Sequence, residues 1–346
     1  MPTPPLSEAM MQEAVEAVAK YGSVSAAARA LNLPRGTLAS RYERAKVAEE
    51  DFEVPPLPSP DVPVDDLIER LTADYARKRE HAERSRLVSV NIRRDGPIGL
   101  LVFGDPHLGS PHTNWPALKR DVELTQRTEA LYGTNIGDTG DNWSGKLAHL
   151  WAGMGVSHSQ EKQLSEWFLR NVNWLLWLSG NHDAWSGSGD LLPWLSRQIG
   201  VLHSEWEQRI ALQFPNGREV RIGCYHGAKG YSLFNPGHGV LRTAKLGPPD
   251  HLVCAGHTHV SWVQGPIGLD DTGEWGWGLQ VGSYKDIADM FGKRARGGRE
   301  QNLFPSAVVI IDPYATSPAG LIRIFLDTTE GAEYLNSLRR RWKKAA

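Results

Sequence analysis

The stretch Leu100-Leu-Val-Phe-Gly-Asp105-Pro-His107-Leu-Gly109 reads as an apolar, buried strand that stops at a glycine, with a carboxylate and an imidazole directly after it. In open α/β folds ligands sit outside the carboxyl ends of the strands, so Asp105 and His107 fall where chemistry is done. Alone, Asp-x-His carries little weight. Its force comes from later stretches built the same way. Thr134-Asn-Ile-Gly-Asp138-Thr-Gly-Asp141-Asn142 and Trp174-Leu-Leu-Trp-Leu-Ser-Gly180-Asn181-His182-Asp183 are short strands ending in glycine and ligand-type side chains. Another strand ends at His226-Gly227, and Leu252-Val-Cys-Ala-Gly256-His257-Thr258-His259 ends in a His-x-His pair.

Between these blocks the pattern alternates helix and strand. Residues 87–93 and 98–104 read as two strands joined by an Asp95-Gly96 hairpin turn. A helix is expected over 117–131 and a helical insert over 145–172. The second half is richer in strands, at 208–214, 218–225, 279–282 and 307–311, which suggests a second sheet packed on the first. The fold class is therefore α/β, a layered β-sandwich flanked by helices, over residues 87–328 with a basic tail or helix at 329–346.

Composition sets the outer bounds. With 346 residues the chain has room for an enzyme-sized domain and a smaller one, and 40% apolar with 23% charged residues excludes wholesale disorder. A formal charge of -2 gives no global pull toward nucleic acid or anionic lipid, so any such affinity comes from local patches. No run has the length of a membrane span, and the two cysteines, Cys224 and Cys254, lie in apolar runs as buried thiols of a cytoplasmic protein would.

The first 50 residues read separately. A helix over 7–21, capped by Ser7 and ended by Gly22, puts Met10, Met11, Ala14, Val15 and Val18 on one face. A short alanine-rich helix follows, then a tight turn at Asn32-Leu33-Pro34, then a helix over 35–47 with Leu38 and Tyr42 inward. Ala-Ala-Ala-Arg-Ala-Leu-Asn-Leu-Pro-Arg-Gly-Thr-Leu resembles the helix-turn-helix of bacterial and phage DNA-binding proteins, with Asn32 in place of the commoner turn glycine. The resemblance implies DNA contacts from Arg35, Thr37, Ser40, Arg41 and Arg44; the plainer reading is a small bundle for oligomerisation or docking. Residues 51–63 are a proline-rich linker, and 64–86 a charged connecting helix whose Leu67, Ile68 and Leu71 give it an amphipathic start.

In their order and spacing, Asp-x-His, Gly-Asp-x-x-Asp, Gly-Asn-His-Asp, His-Gly and Gly-His-x-His resemble the five blocks of the calcineurin-like metallophosphoesterases, over residues 97–312. That resemblance implies a centre of two divalent cations, manganese, iron or zinc. Asp105, His107, Asp138 and His259 would hold one; Asp138, Asn181, His226 and His257 the other, with Asp138 bridging. His182 would be the acid near the leaving group and Asp141 its orienting carboxylate. Independently, phosphoester hydrolysis needs hydroxide at neutral pH and positive charge beside an anionic phosphoryl group, and paired cations supply both. Neutral imidazoles and oxygens suit such ions without any thiolate.

The substrate is narrowed further. Protein phosphatases of this kind follow Gly-Asp-x-x-Asp with a phosphate-gripping arginine; here Asn142 stands there, a candidate substrate contact beside His238 in its glycine-rich loop. Asp-x-His-Leu-Gly and Gly-Asn-His-Asp are closer in style to the DNA-repair exonuclease branch. Two basic stretches, 293–299 and 339–344, and the N-terminal bundle also favour a polyanionic partner. The expectation is a DNA nuclease. A small-molecule phosphoesterase or protein phosphatase with an accessory bundle, and a non-catalytic DNA-binding regulator, are the alternatives.

Overall fold

A computed structural model describes residues 7–48, 61–184, 192–230, 232, 234–269, 274–285 and 302–345. It divides into two units, Met1–Asp74 and Tyr75–Ala346.

In the first unit three helices, Glu8–Tyr21, Val24–Ala30 and Arg35–Ala48, close on Ala14, Ala17, Ala27, Ala28 and Leu38. Alanines at the crossing points let short helices approach closely enough to make a dry centre. Gly22 ends the first helix at φ 73°, and Asn32 turns the chain before the third at φ 53°, both left-handed. Two details depart from expectation. Ser7 occupies the N-cap position but its side chain makes no capping bond, whereas Ser23 caps the second helix through the Ala26 N–H at 3.2 Å. Met10 is 41% exposed, because the buried face runs through Ala14 and Ala17. The division between units falls inside the helix Val64–Arg84, not at the prolines, and residues 51–60 lie outside the described residues. None of that helix's residues is buried, so its expected docking stripe, with Ile68 and Leu71, faces solvent.

Among the described residues the second unit carries twelve strands: β1 Val88–Asn91, β2 Ile98–Phe103, β3 Leu131–Asn135, β4 Trp174–Ser179, β5 His203–Glu205, β6 Glu207–Gln213, β7 Glu219–Tyr225, β8 Leu252–Ala255, β9 Trp262–Gly268, β10 Trp275–Gln280, β11 Ser306–Ile311 and β12 Ile322–Phe325. They form two six-stranded sheets, β1-β6-β7-β8-β10-β9 and β12-β11-β2-β3-β4-β5. Alternation along β2 builds the layers. Ile98, Leu100 and Val102 meet Ile210, Leu212, Val220 and Ile222 of the other sheet, while Leu101 and Phe103 face the helices with Leu118, Val122, Phe168 and Leu335. On the outer face of the first sheet, Val253 and Ala255 pack against Val240 and Ala244 of the helix His238–Leu246. The chain is α/β with two mixed sheets between helices.

One expectation is corrected. The strands around Asp95-Gly96 do not form a hairpin: β1 pairs in parallel with β6, and β2 pairs in parallel with β3 and antiparallel with β11, so the turn carries the chain from one sheet to the other. The stretch expected as a basic tail or helix is the helix Thr328–Ala345, whose Ala332 and Leu335 enter the core. Arg339, 3% exposed, donates to the Pro97 and Asp95 carbonyls at 2.6 and 3.2 Å, and Lys343 pairs with Glu129 at 2.8 Å. These bonds hold the helix onto the sheet. The other basic stretch, 293–299, lies outside the described residues.

Candidate metal centre

β2, β3 and β4 run parallel in one sheet, and β7 and β8 parallel in the other. Their carboxyl ends release Asp105 and His107, Asp138 and Asp141, Asn181 and His182, His226, and His257 and His259. The backbone there is unusual: His107 (φ 46°), Asp138 (48°), Asn142 (42°), His257 (66°) and His259 (52°) all adopt the left-handed region. Non-glycine residues held there cost about 1–3 kcal/mol each, and such strain gathers at functional sites. The glycines before the ligands make room. A Cβ on Gly137 would lie 2.5 Å from His226 Nδ1, and one on Gly180 would run into the Asp138 carboxylate.

Among the described residues three overlapping sets of ligand-type atoms result; His107, Asp141 and His182 make one of them, and the other two hold the expected ligands. Asp105, His107 and His259 converge so that one donor atom from each lies within 4.8 Å of the others. His107 Nε2 and His259 Nε2 are 3.0 Å apart, and His259 Nε2 is 3.2 Å from Asp105 Oδ2. Asp105 is fully buried, yet neither of its carboxylate oxygens accepts a hydrogen bond. A buried carboxylate that accepts no hydrogen bond is costly unless positive charge meets it, and here the nearest groups are imidazoles. Asp138, His226 and His257 form the second set by the same measure. His226 Nδ1 donates to the Ile136 carbonyl at 3.0 Å, which turns Nε2 toward Asn181 Oδ1 at 2.9 Å and Asp138 Oδ2 at 3.3 Å. Asp138 also ties the sets together, since its carbonyl accepts the His107 N–H at 3.1 Å. These buried histidine and aspartate clusters are fit to hold metal ions.

The electrostatics agree. Burial disfavours charge on Asp138, but the His226, His182 and His107 imidazoles outweigh it and hold the carboxylate well below its usual range. Burial likewise pulls His226 down, yet Asp138 and Asp105 win and push it up to about 9. His107 and His257 are lowered, mainly by burial. Charged carboxylates beside the neutral imidazoles of His107 and His257 suit a divalent ion, and His226 would give up its proton to bind one.

Around the sets lie groups in roles the sequence did not indicate. His182 Nδ1 is 2.7 Å from the Asp141 backbone carbonyl, so it is the carbonyl that orients this ring. The Asp141 carboxylate serves His107 instead, with Oδ1 2.7 Å from its Nδ1, and lies 3.3 Å from Lys285 Nζ. Burial would raise Asp141, but His107 and Lys285 hold it to about 2. Lys285 escaped sequence reading because its place comes from the pairing of Ser283 with Asp105 across 178 positions. Asp183 is a clamp, accepting the Gly180 N–H at 2.8 Å and the Thr139 N–H at 3.1 Å. Asn142 spends its amide inside the protein: Nδ2 donates to the His182 carbonyl at 2.8 Å, and Oδ1 lies 3.1 Å from His158 Nε2. Beneath it Glu161 Oε1 accepts the Asn142 N–H at 3.0 Å, and burial pushes this carboxyl up to about 8. His238 begins its helix against Gly230 and belongs to neither ligand set.

In the first unit Arg35, Thr37, Ser40 and Arg44 are exposed on the third helix. Arg41 differs: it is half-buried, and its Nε is buried with no hydrogen-bond partner.

No known protein family matches the chain, and no curated protein matches it either.

Proposed function

We propose that the second unit is a two-metal phosphoesterase of the calcineurin-like kind that hydrolyses phosphodiester bonds, and that the chain acts on DNA. The observation that carries the reading is the fully buried, unbonded Asp105 carboxylate facing the His107–His259 pair, with a second aspartate–histidine set beside it. Asp105, His107 and His259 would hold one ion and Asn181, His226 and His257 the other, with Asp138 between them. When bound, the two cations, manganese above iron or zinc, supply hydroxide at neutral pH and positive charge for the phosphoryl oxygens.

The protein's own residues do the rest. Asp141 holds His107 at Nδ1, leaving Nε2 as the ligand atom. The Asp141 carbonyl fixes His182 at Nδ1, so its Nε2 is the nitrogen able to pass a proton to the departing alkoxide. Asp183 and Asn142 lock the loops that carry these groups, so the donors are in place before substrate arrives. Exposed arginines on the third helix of the first unit support retention on duplex phosphates.

The deciding experiment offers purified protein with manganese linear duplex DNA, single-stranded circles and a small chromogenic diester side by side, with His182→Asn as the blank. Metal-dependent cleavage lost in His182→Asn, with metal retained, is the expected result. In Asp138→Asn both ions should be lost; two tightly held ions in that variant would refute the shared role of Asp138.

A further inference from the structure

Among the described residues two tryptophans touch histidines of the centre, and they are not equivalent. Trp143 stands edge-on to His182 with ring centroids 5.0 Å apart, but it is 8% exposed and lies under the Lys285 ammonium. Trp206 stands edge-on to His226 at 5.0 Å and tilted to His257 at 5.8 Å, and it is 41% exposed. Trp206 therefore joins the second ligand set to open solvent. Its backbone is also singular. It is the one residue between β5 and β6, where the chain passes from one sheet to the other. Its N–H donates to the Ser179 carbonyl at 2.9 Å and its carbonyl accepts the His226 N–H at 2.6 Å. To make both bonds it adopts φ 66°, a left-handed conformation that a bulky side chain enters only under constraint. Glycine or asparagine would meet that backbone need at less cost. A tryptophan there has to be explained by its ring.

We propose that Trp206 is a stacking shelf for the nucleobase next to the scissile phosphate. The inference rests on the phosphodiesterase reading and adds a substrate class to it: nucleotidyl esters over simple alkyl ones. A phosphoryl group held between the two ligand sets has its sugar and base at the rim, and among the described residues the Trp206 indole is an exposed apolar surface that adjoins the ligands His226 and His257. Base–indole stacking tolerates every base, since each has a π-face, so the shelf serves an enzyme that cleaves without reading sequence. Gly227 sits beside both rings: a Cβ there would lie 3.3 Å from His257 and 3.5 Å from Trp206.

The test compares thymidine 5′-(p-nitrophenyl phosphate) with methyl p-nitrophenyl phosphate, which has the same leaving group and no base. In Trp206→Ala the ratio of kcat/KM for the two esters should fall by roughly ten- to a hundredfold, mainly through KM for the thymidine ester. Trp206→Phe should restore most of it. Trp206→Asn removes the shelf while accepting the left-handed backbone, and should match Trp206→Ala; this keeps the test sound if alanine disturbs folding. An unchanged ratio in the asparagine variant overturns the proposal. Should the wild type hydrolyse neither ester with manganese, iron or zinc, the phosphodiesterase reading fails by itself. Equilibrium dialysis of thymidine 5′-phosphate against the manganese-loaded protein then decides the shelf: binding lost in Trp206→Asn supports it, equal binding refutes it.

Discussion

His107 and His259 come from opposite sheets and meet with their Nε2 atoms 3.0 Å apart. Two imidazole nitrogens at that distance form a hydrogen bond only if one ring donates and the other accepts; a cation lets both present lone pairs. With Asp105 buried beside them and accepting no hydrogen bond, the protein without metal leaves these donor atoms unsatisfied at its centre. Removing metal with a chelator should therefore lower the melting temperature. At ion concentrations about a hundredfold above Kd the loss is about 2.7 kcal/mol per ion. For a domain of this size that means roughly 5–10 °C, read by calorimetry and restored by adding manganese back. His259→Gln should reduce the bound ions from two to one and lessen the chelator's effect; an unchanged melting curve in chelator would count against the centre.

Glu161 gives a pH signature that owes nothing to metal. Burial raises its folded-state pKa to about 8, against an ordinary value of 4.5, so the folded protein keeps it neutral where the unfolded chain ionises it. The stability it brings is full below pH 4.5 and is lost as pH climbs through about 8. Over that window the loss is on the order of 5 kcal/mol for a carboxyl this buried. Glu161→Gln keeps the shape without the charge. Denaturant midpoints measured from pH 5 to 9 should fall more steeply for the wild type, with the variant the more stable at pH 9. Parallel curves would show that Glu161 is ionised in the fold.

How much of this was legible in sequence follows from the range of each interaction. The strand-end blocks were visible because ligand, glycine and apolar strand lie within ten residues, and Asn32 and Gly22 announced their turns because left-handed backbone is a local demand. The Asp95-Gly96 turn misled for the same reason: Gly96 is indeed at φ 89°, but which sheet each flanking strand joins is decided by partners more than a hundred residues away. Lys285, Glu161 and Trp206 left no mark, since each reaches the site only after the sheets have paired. Arg339 looked like part of a basic patch because charge is written in the sequence and burial is not.

Arg339 should accordingly behave as a structural residue. Its guanidinium is the donor to the Pro97 carbonyl at 2.6 Å and reaches Glu129 at 3.1 Å. Arg339→Ala leaves that carbonyl buried without a partner and should cost about 2–4 kcal/mol. Chemical denaturation measures the cost directly, and DNA retention by the folded fraction should be unchanged. A variant of normal stability that has lost DNA would restore the basic-patch reading.

The third helix of the first unit offers the last test. Arg35 and Arg44 are exposed, while Arg41 is half-buried. If exposed guanidiniums neutralise phosphates, each contact releases counterions, and the logarithm of affinity falls with the logarithm of salt by about 0.9 per contact. The double variant Arg35→Ala, Arg44→Ala should thus bind duplex DNA more weakly at low salt, and its salt slope should be shallower by about two. Titrations at several salt concentrations, with hydrolysis of the small chromogenic diester followed in parallel, separate retention from chemistry. A salt slope identical to that of the wild type would mean that this helix does not touch the phosphate backbone, and that the three-helix unit docks something other than DNA.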